Sequence, residues 1–340
     1  MKTVLLTGIT GFIAKHIAVE LLNAGYTVRG SMRSTKRVQE VNASVAKGLK
    51  DPSLLTRLSF CELDLTKDTG WTDAMRGMDA LLHTASPFPL VQPKNEQDLI
   101  APAVDGTMRA LNAAKAAECQ RVILTSSTVA IAGSPLQDGQ TAYSEQNWTD
   151  VNAPGTSAYA KSKTLAEKAA WDFVENEAPE IALTTINPGL VLGAPLDVHY
   201  STSLAVVERL LRGKDPMVPR LAFSSVHVKD IAALHLAALK NDETSGQRIM
   251  GVDQELWFED IAKAIKEAHP NRKIPTRVAP DILIKFLGLF DPAIKGIVPQ
   301  LGRRQPTDNS RAKALLGREF MDARAAAVEG AEFILAEGLS

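Results

Sequence analysis

The chain has 340 residues, of which 45% are hydrophobic and 23% charged, and its 38 basic against 39 acidic side chains leave a formal charge of -1. That length suits two lobes around a sizeable core, and the composition excludes a disordered polymer and lacks the basic excess of a nucleic-acid binder. Two cysteines, Cys61 and Cys119, rule out a disulfide-built scaffold and supply a metal cluster poorly, so no metal is expected.

Lys2 to Thr7 is short and apolar, and it runs through Gly8 and Gly11 into apolar positions at helical spacing, Ile13, Ile17, Leu21 and Leu22, that stop at Gly25. This is strand, tight turn, helix. Tyr26 to Gly30 reads as a second strand, Thr35 to Asp51 as a helix and loop outside the sheet, and the strands Leu58–Glu62 and Ala80–Thr84 flank a helical Trp71–Met75. A long helix, Asp98 to Cys119, feeds the very apolar strand Arg121–Ser126, as parallel strands buried on both faces do. The pattern loosens from Ile131 to Gly155 and hardens into a helix over Ala158–Asn176. The strand Ile181–Ile186, the turn Asn187-Pro188-Gly189 and a helix over Ser203–Arg212 follow.

The alternation predicts an α/β fold, a Rossmann-type doubly wound parallel sheet with a smaller C-terminal substrate lobe. The expected division is a dinucleotide-binding domain over 1–190, to which a strand edge and helix over 225–240 return, with 191–224 and 241–340 left for the substrate lobe. No run of 18 apolar residues occurs, so a soluble, cytoplasmic protein with no membrane partner is expected.

The sharpest local signal is Thr7-Gly8-Ile9-Thr10-Gly11-Phe12-Ile13-Ala14. Gly8 can take the tight-turn conformation, Gly11 lets backbone approach a diphosphate, and the free amides of a helix start face its charge. A plain structural turn is the alternative reading; the strand-turn-helix context favours the dinucleotide. A carboxylate after the second strand would hold the ribose hydroxyls of NAD, but no acid lies between Glu20 and Glu40, where Arg29, Arg33, Lys36 and Arg37 fall instead. Arg33 and Lys36 are the preferred contacts to a 2'-phosphate, which makes NADPH/NADP+ the expected cofactor. Asp64 and Leu65, after the third strand, could border the adenine.

Tyr159 and Lys163 stand four residues apart, so on a helix they share a face, and an ammonium beside a phenol stabilises its anion. Surface spacing alone could produce the pair; the N-terminal turn makes chemistry the better reading. A third participant should come from the end of the strand Arg121–Thr125, where Ser126, Ser127 and Thr128 are available and Ser127 is preferred.

Together these residues resemble the extended short-chain dehydrogenase/reductase family. Its dihydroflavonol-reductase-like branch, with plant dihydroflavonol and cinnamoyl-CoA reductases and fungal methylglyoxal or aldehyde reductases, is similar in the glycine-rich turn, Val28-Arg29-Gly30-Ser31-Met32-Arg33, His83-Thr84-Ala85-Ser86-Pro87-Phe88, Leu124-Thr125-Ser126-Ser127, Tyr159-Ala160-Lys161-Ser162-Lys163 and Asn187-Pro188-Gly189. The resemblance implies Ser127, Tyr159 and Lys163 as the catalytic set. It implies Thr84, Ala85 and Ser86 along the cofactor, Pro188 beside the nicotinamide, and Phe88, Ser127 and Tyr159 toward substrate, with Leu190 to Tyr200 as further candidates. The implied activity is NADPH-dependent reduction of ketones or aldehydes, in which Tyr159 protonates the oxygen, Ser127 polarises the carbonyl and Lys163 lowers the tyrosine pKa. An epimerase or dehydratase acting on a sugar-like substrate and a non-catalytic NADP-binding scaffold are the alternatives. The expected partner is a small-molecule carbonyl compound, with the chain a monomer or homodimer.

Overall fold

In chain order β1 (Thr3–Thr7), α1 (Phe12–Asn23), β2 (Thr27–Met32), α2 (Val38–Ala46), β3 (Leu58–Glu62), α3 (Trp71–Met75), β4 (Ala80–His83), α4 (Gln97–Ala116), β5 (Arg121–Thr125), α5 (Ala158–Asn176) and β6 (Ala182–Pro188) alternate strand with helix. These come from a computed structural model that describes residues 2–87, 95–136, 138–199 and 202–339. Every pairing in the seven-stranded sheet is parallel, in the order β3-β2-β1-β4-β5-β6 with one further strand at the end. Helices α1 and α2 cover one face and α3, α4 and α5 the other. Two covered faces explain the unbroken apolar run of β1, whose Val4, Leu5 and Leu6 are wholly buried.

The direction of winding reverses between β1 and β4, so the loops leaving their carboxyl ends part and open a crevice. Thr7 knits those two ends together. Its hydroxyl accepts from the backbone N–H of Thr84 at 3.0 Å and of Ala85 at 3.1 Å and bonds His83 Nδ1 at 2.9 Å. Burial pushes the His83 imidazole down to about 3, the Lys163 charge adding to the effect, so it is a neutral strut.

Beyond β6 follow β7 (Leu190–Leu192), α6 (Ala205–Arg212), β8 (Ala222–His227), α7 (Val228–Lys240), β9 (Gln247–Gly251), β10 (Gln254–Trp257), α8 (Phe258–Ala268), α9 (Asp281–Leu287), α10 (Pro292–Ile297), α11 (Ser310–Leu316) and α12 (Ala323–Ala336). A second sheet, β10-β8-β7, pairs β8 parallel to β7 and antiparallel to β10, and α12 packs across α6 and α8 beside it.

The expected return of 225–240 to the first sheet divides in two. Helix α7 does return and packs on α1, but β8 stays in the small sheet, and β9, inside the stretch read as substrate lobe, is the strand that closes the large sheet beside β6. Arg248, the second residue of β9, disguises a buried strand: its guanidinium Nε donates to Glu167 of α5 at 2.6 Å and its plane lies 3.7 Å over the Trp148 ring. The apolar stretch Ile282 to Phe290 is not core as a whole, since Ile282, Phe286, Leu289 and Phe290 are exposed. Among the described residues no helix is long and apolar enough to cross a membrane.

Candidate active site

Two cavities meet at the carboxyl edge of the large sheet. The first, about 500 Å3, begins at the glycine-rich turn. Gly8 there has φ +69°, and a Cβ on it would come within 3.0 Å of the Ala85 backbone, so the turn requires glycine twice over. Helix α1 starts at Gly11 with no side chain capping its first turn and no acid in it, which leaves its N-terminus facing this cleft with the charge preference of a helix dipole.

Of the residues anticipated for the cofactor, Gly8, Thr10, Gly11, Phe12, Ile13, Arg33, Thr84, Ser86, Tyr159, Lys163 and Pro188 line this cleft. Thr7 and Ala85 stand behind it, holding β1 to β4. Three do not reach its walls. Lys36 is exposed, Asp64 accepts from the N–H and hydroxyl of Thr66 at 3.0 and 2.8 Å, and Leu65 packs against the α4 backbone at Gly106. The second basic residue on the cleft is Arg37, one position further on. The reason is local: Thr35–Arg37 forms one turn of 3-10 helix, capped by Ser34, which directs residue 37 inward and Lys36 to solvent.

The far wall is closed by Val191 and His199, which fall in the Leu190 to Tyr200 stretch expected to face substrate rather than cofactor, and by Ser203, which was not anticipated. That wall is tied to the first lobe by a polar network that is buried at Lys15, Asp197 and Ser44 and exposed at His199. Lys15 of α1 is 1% exposed and pairs with Asp197, whose Oδ2 also accepts from Ser44 at 2.6 Å, while His199 stands 3.5 Å from Glu40. A lysine among the apolar residues of a helix was the one sequence signal available.

The second cavity, about 550 Å3, opens between the large sheet and the C-terminal lobe. Ser127, at the end of β5, and Tyr159, in the first turn of α5, line both cavities. Their side chains are hydrogen-bonded to each other. Lys163 lies one turn along α5, on the cofactor side only, and its ammonium reaches the Thr125 carbonyl at 3.5 Å. Phe88 lies outside the described residues, as does Tyr200.

The electrostatics correct one expectation. Tyr159 is not lowered: burial pushes the phenol up to about 12, with the Ser127 hydrogen bond pulling weakly the other way. Burial pushes Lys163 down to about 8, and the Glu167 carboxylate one turn further along α5 opposes that fall. Burial of the phenol itself outweighs the stabilisation of its anion and sets the direction. Glu167 is the hub beneath the pair. It accepts from Ser126, Asn187 at 2.8 Å, Thr185 at 3.1 Å and Arg248 at 2.6 Å, so one buried carboxylate ties the segment after β5 to β6 and β9.

Comparison with known proteins bears on this arrangement. A family model described as the NAD dependent epimerase/dehydratase family matches residues 4–252. The chain belongs to that family. Ketoreductase azaE of Aspergillus niger is 34% identical, with 94% of each chain covered. Cinnamoyl-CoA reductase CAD2 of Medicago truncatula is 32% identical over 82% of this chain and 85% of its own. Among solved structures, yeast methylglyoxal/isovaleraldehyde reductase Gre2 complexed with NADPH is similar with a TM-score of 0.81 at 28% identity, covering 99% of this chain and all of that one. Within the family the chain is thus a short-chain dehydrogenase/reductase related to aldehyde and ketone reductases, and the match to residues 4–252 spans β9, the strand that completes the large sheet.

Proposed function

We propose that this protein is an NADPH-dependent reductase of aldehydes or ketones. The observation that carries the reading is the position of Ser127 and Tyr159 at the seam of the two cavities, where their hydroxyls face both a dinucleotide cleft and a separate space for substrate. NADPH, when bound, supplies the hydride that converts the carbonyl carbon to an alcohol carbon. The chain supplies the rest. Ser127 donates to the carbonyl oxygen and orients Tyr159; Tyr159 gives that oxygen its proton as negative charge develops. A phenol pushed up to about 12 is protonated throughout the neutral range, which suits an acid whose acceptor is a developing alkoxide. Lys163 holds positive charge beside the phenol and toward the cofactor cleft. Ala222, Phe223 and Ser224 of β8, with the segment from Pro299 to Gln305, form the wall opposite Ser127 and Tyr159 that selects substrate. Turnover of a panel of aldehydes and ketones with NADPH tests the activity; NADPH binding with no carbonyl reduced across the panel would favour a scaffold.

Preference for the 2'-phosphate rests on Arg33 and Arg37. Arg33 is exposed at the cleft, whereas Arg37 is drawn to Glu40, its Nε donating at 2.9 Å, so part of its charge is already spent. Replacing Arg33 by serine is expected to raise KM for NADPH about tenfold to a hundredfold, with a smaller rise for Arg37→Ser and no change with NADH. Paired NADPH and NADH titrations check this, and an unaltered ratio in both variants would remove the assignment.

A further inference from the structure

The substrate cavity carries a charge that carbonyl reduction does not use. Among its described lining residues the one charged side chain is Arg303, on the segment between α10 and α11; the rest are neutral, with Ser127 and Tyr159 among them. Arg303 donates through Nη1 to the Gly133 carbonyl at 3.1 Å and through Nη2 to the Ala132 carbonyl at 3.2 Å, the Ser134 carbonyl and the Tyr143 hydroxyl at 3.0 Å. All four acceptors are neutral. Among the described residues Arg303 forms no ion pair, whereas the next residue, Arg304, pairs with Glu255 at 2.7 Å. The guanidinium is therefore held in place but not neutralised, and among the described residues its Nε–H makes no hydrogen bond. Gln305, whose Nε2 donates to the Ala132 carbonyl at 3.2 Å, fixes the same segment, so the cation cannot swing out without undoing a second contact.

A fixed, unopposed cation on an otherwise neutral cavity wall sets the charge of the ligand, because an anion entering a partly desolvated site gains from it and a neutral ligand does not. We propose that Arg303 selects substrates bearing a carboxylate in addition to the carbonyl to be reduced, that is, oxo acids. A single guanidinium with no lysine or second arginine beside it among the described lining residues matches a monoanion rather than a phosphate. The inference rests on the carbonyl-reductase reading and names its substrate class.

The test is NADPH oxidation by the full chain with a ladder of oxo acids of increasing chain length, each paired with its methyl ester. At the best chain length, kcat/KM for the acid exceeds that for the ester by about tenfold or more, the difference lying in KM. Arg303→Gln lowers kcat/KM for the acid about tenfold to a hundredfold and leaves the ester within about threefold, while Arg303→Lys keeps part of the preference. Equal use of acid and ester by the unmodified chain overturns the proposal, and so does an Arg303→Gln variant that loses both equally, which is the result for a mere staple of the 132–134 loop. Reduction of simple aldehydes but of no oxo acid also overturns it and leaves the reductase reading standing. If no carbonyl compound consumes NADPH, that reading fails, and calorimetric binding of benzoate to the NADPH complex decides the remainder: binding lost in Arg303→Gln supports an anion site, and binding unchanged rejects it.

Discussion

Tyr159→Phe is expected to lower kcat about a hundredfold to ten-thousandfold while NADPH binds as before. The phenol ring packs at the seam and phenylalanine keeps that shape, so the loss isolates the proton and the hydrogen bond to Ser127. Fluorescence titration with NADPH and steady-state turnover separate the two effects; full activity in the variant would place the acid elsewhere. The pH profile gives an independent check. Lys163 has its folded value lowered to about 8, so its charge is present below that pH and lost above it, whereas Tyr159, raised to about 12, still holds its proton there. Reduction should therefore be level through neutrality and bend down near pH 8, from loss of the ammonium rather than of the phenolic proton. In Lys163→Met the rate is lower and that bend is gone. A bend at the same pH in the methionine variant would show that another group titrates.

Those parts of the molecule that obey short-range rules are legible in the sequence. The turn from β1 to α1 was readable because Gly8 needs a positive φ and close approach to Ala85, both of which confine the position to glycine. Tyr159 and Lys163 were readable because four residues is one helical turn. Reading failed where the deciding interaction spans the chain. Arg37 rather than Lys36 reaches the cleft because a single 3-10 turn rotates the basic run, and periodicity does not report such a turn. Strand β9 was hidden because an arginine in a five-residue strand reads as surface until Glu167, 81 positions away, is known to face it. The direction of the Tyr159 shift was misjudged for a related reason: sequence shows which charges are neighbours but not how much water each has lost. Arg303 gave no signal at all, since its meaning depends on the absence of acids among the described lining residues of a cavity formed by six separate stretches of chain.

Glu167 is where fold and chemistry are least separable, and its removal is expected to be the most damaging single change to stability. Its side chain is completely buried and Arg248 beside it is 8% exposed, so Glu167→Ala would leave a guanidinium in the interior with only the Trp148 face and the Glu145 and Asn147 carbonyls as company. Breaking one side of a buried pair costs about 3–5 kcal/mol, to which the stranded donors of Asn187 and Ser126 add. Glu167→Gln costs less, because the amide oxygen can still accept from Arg248 and the Ser126 hydroxyl can turn to accept from the amide nitrogen. Urea unfolding of the two variants measures the difference, and an alanine variant as stable as the parent would mean that the pair contributes nothing net. The glutamine variant has a second consequence that a purely structural residue would not have. The Glu167 carboxylate holds the Lys163 ammonium up against the desolvation that lowers it, so loss of that negative charge moves the alkaline bend in the rate below pH 8 while the fold persists. A shift of the bend with little change at lower pH would mark Glu167 as a positioning residue acting through Lys163. A glutamine variant with an unmoved bend would confine it to the fold.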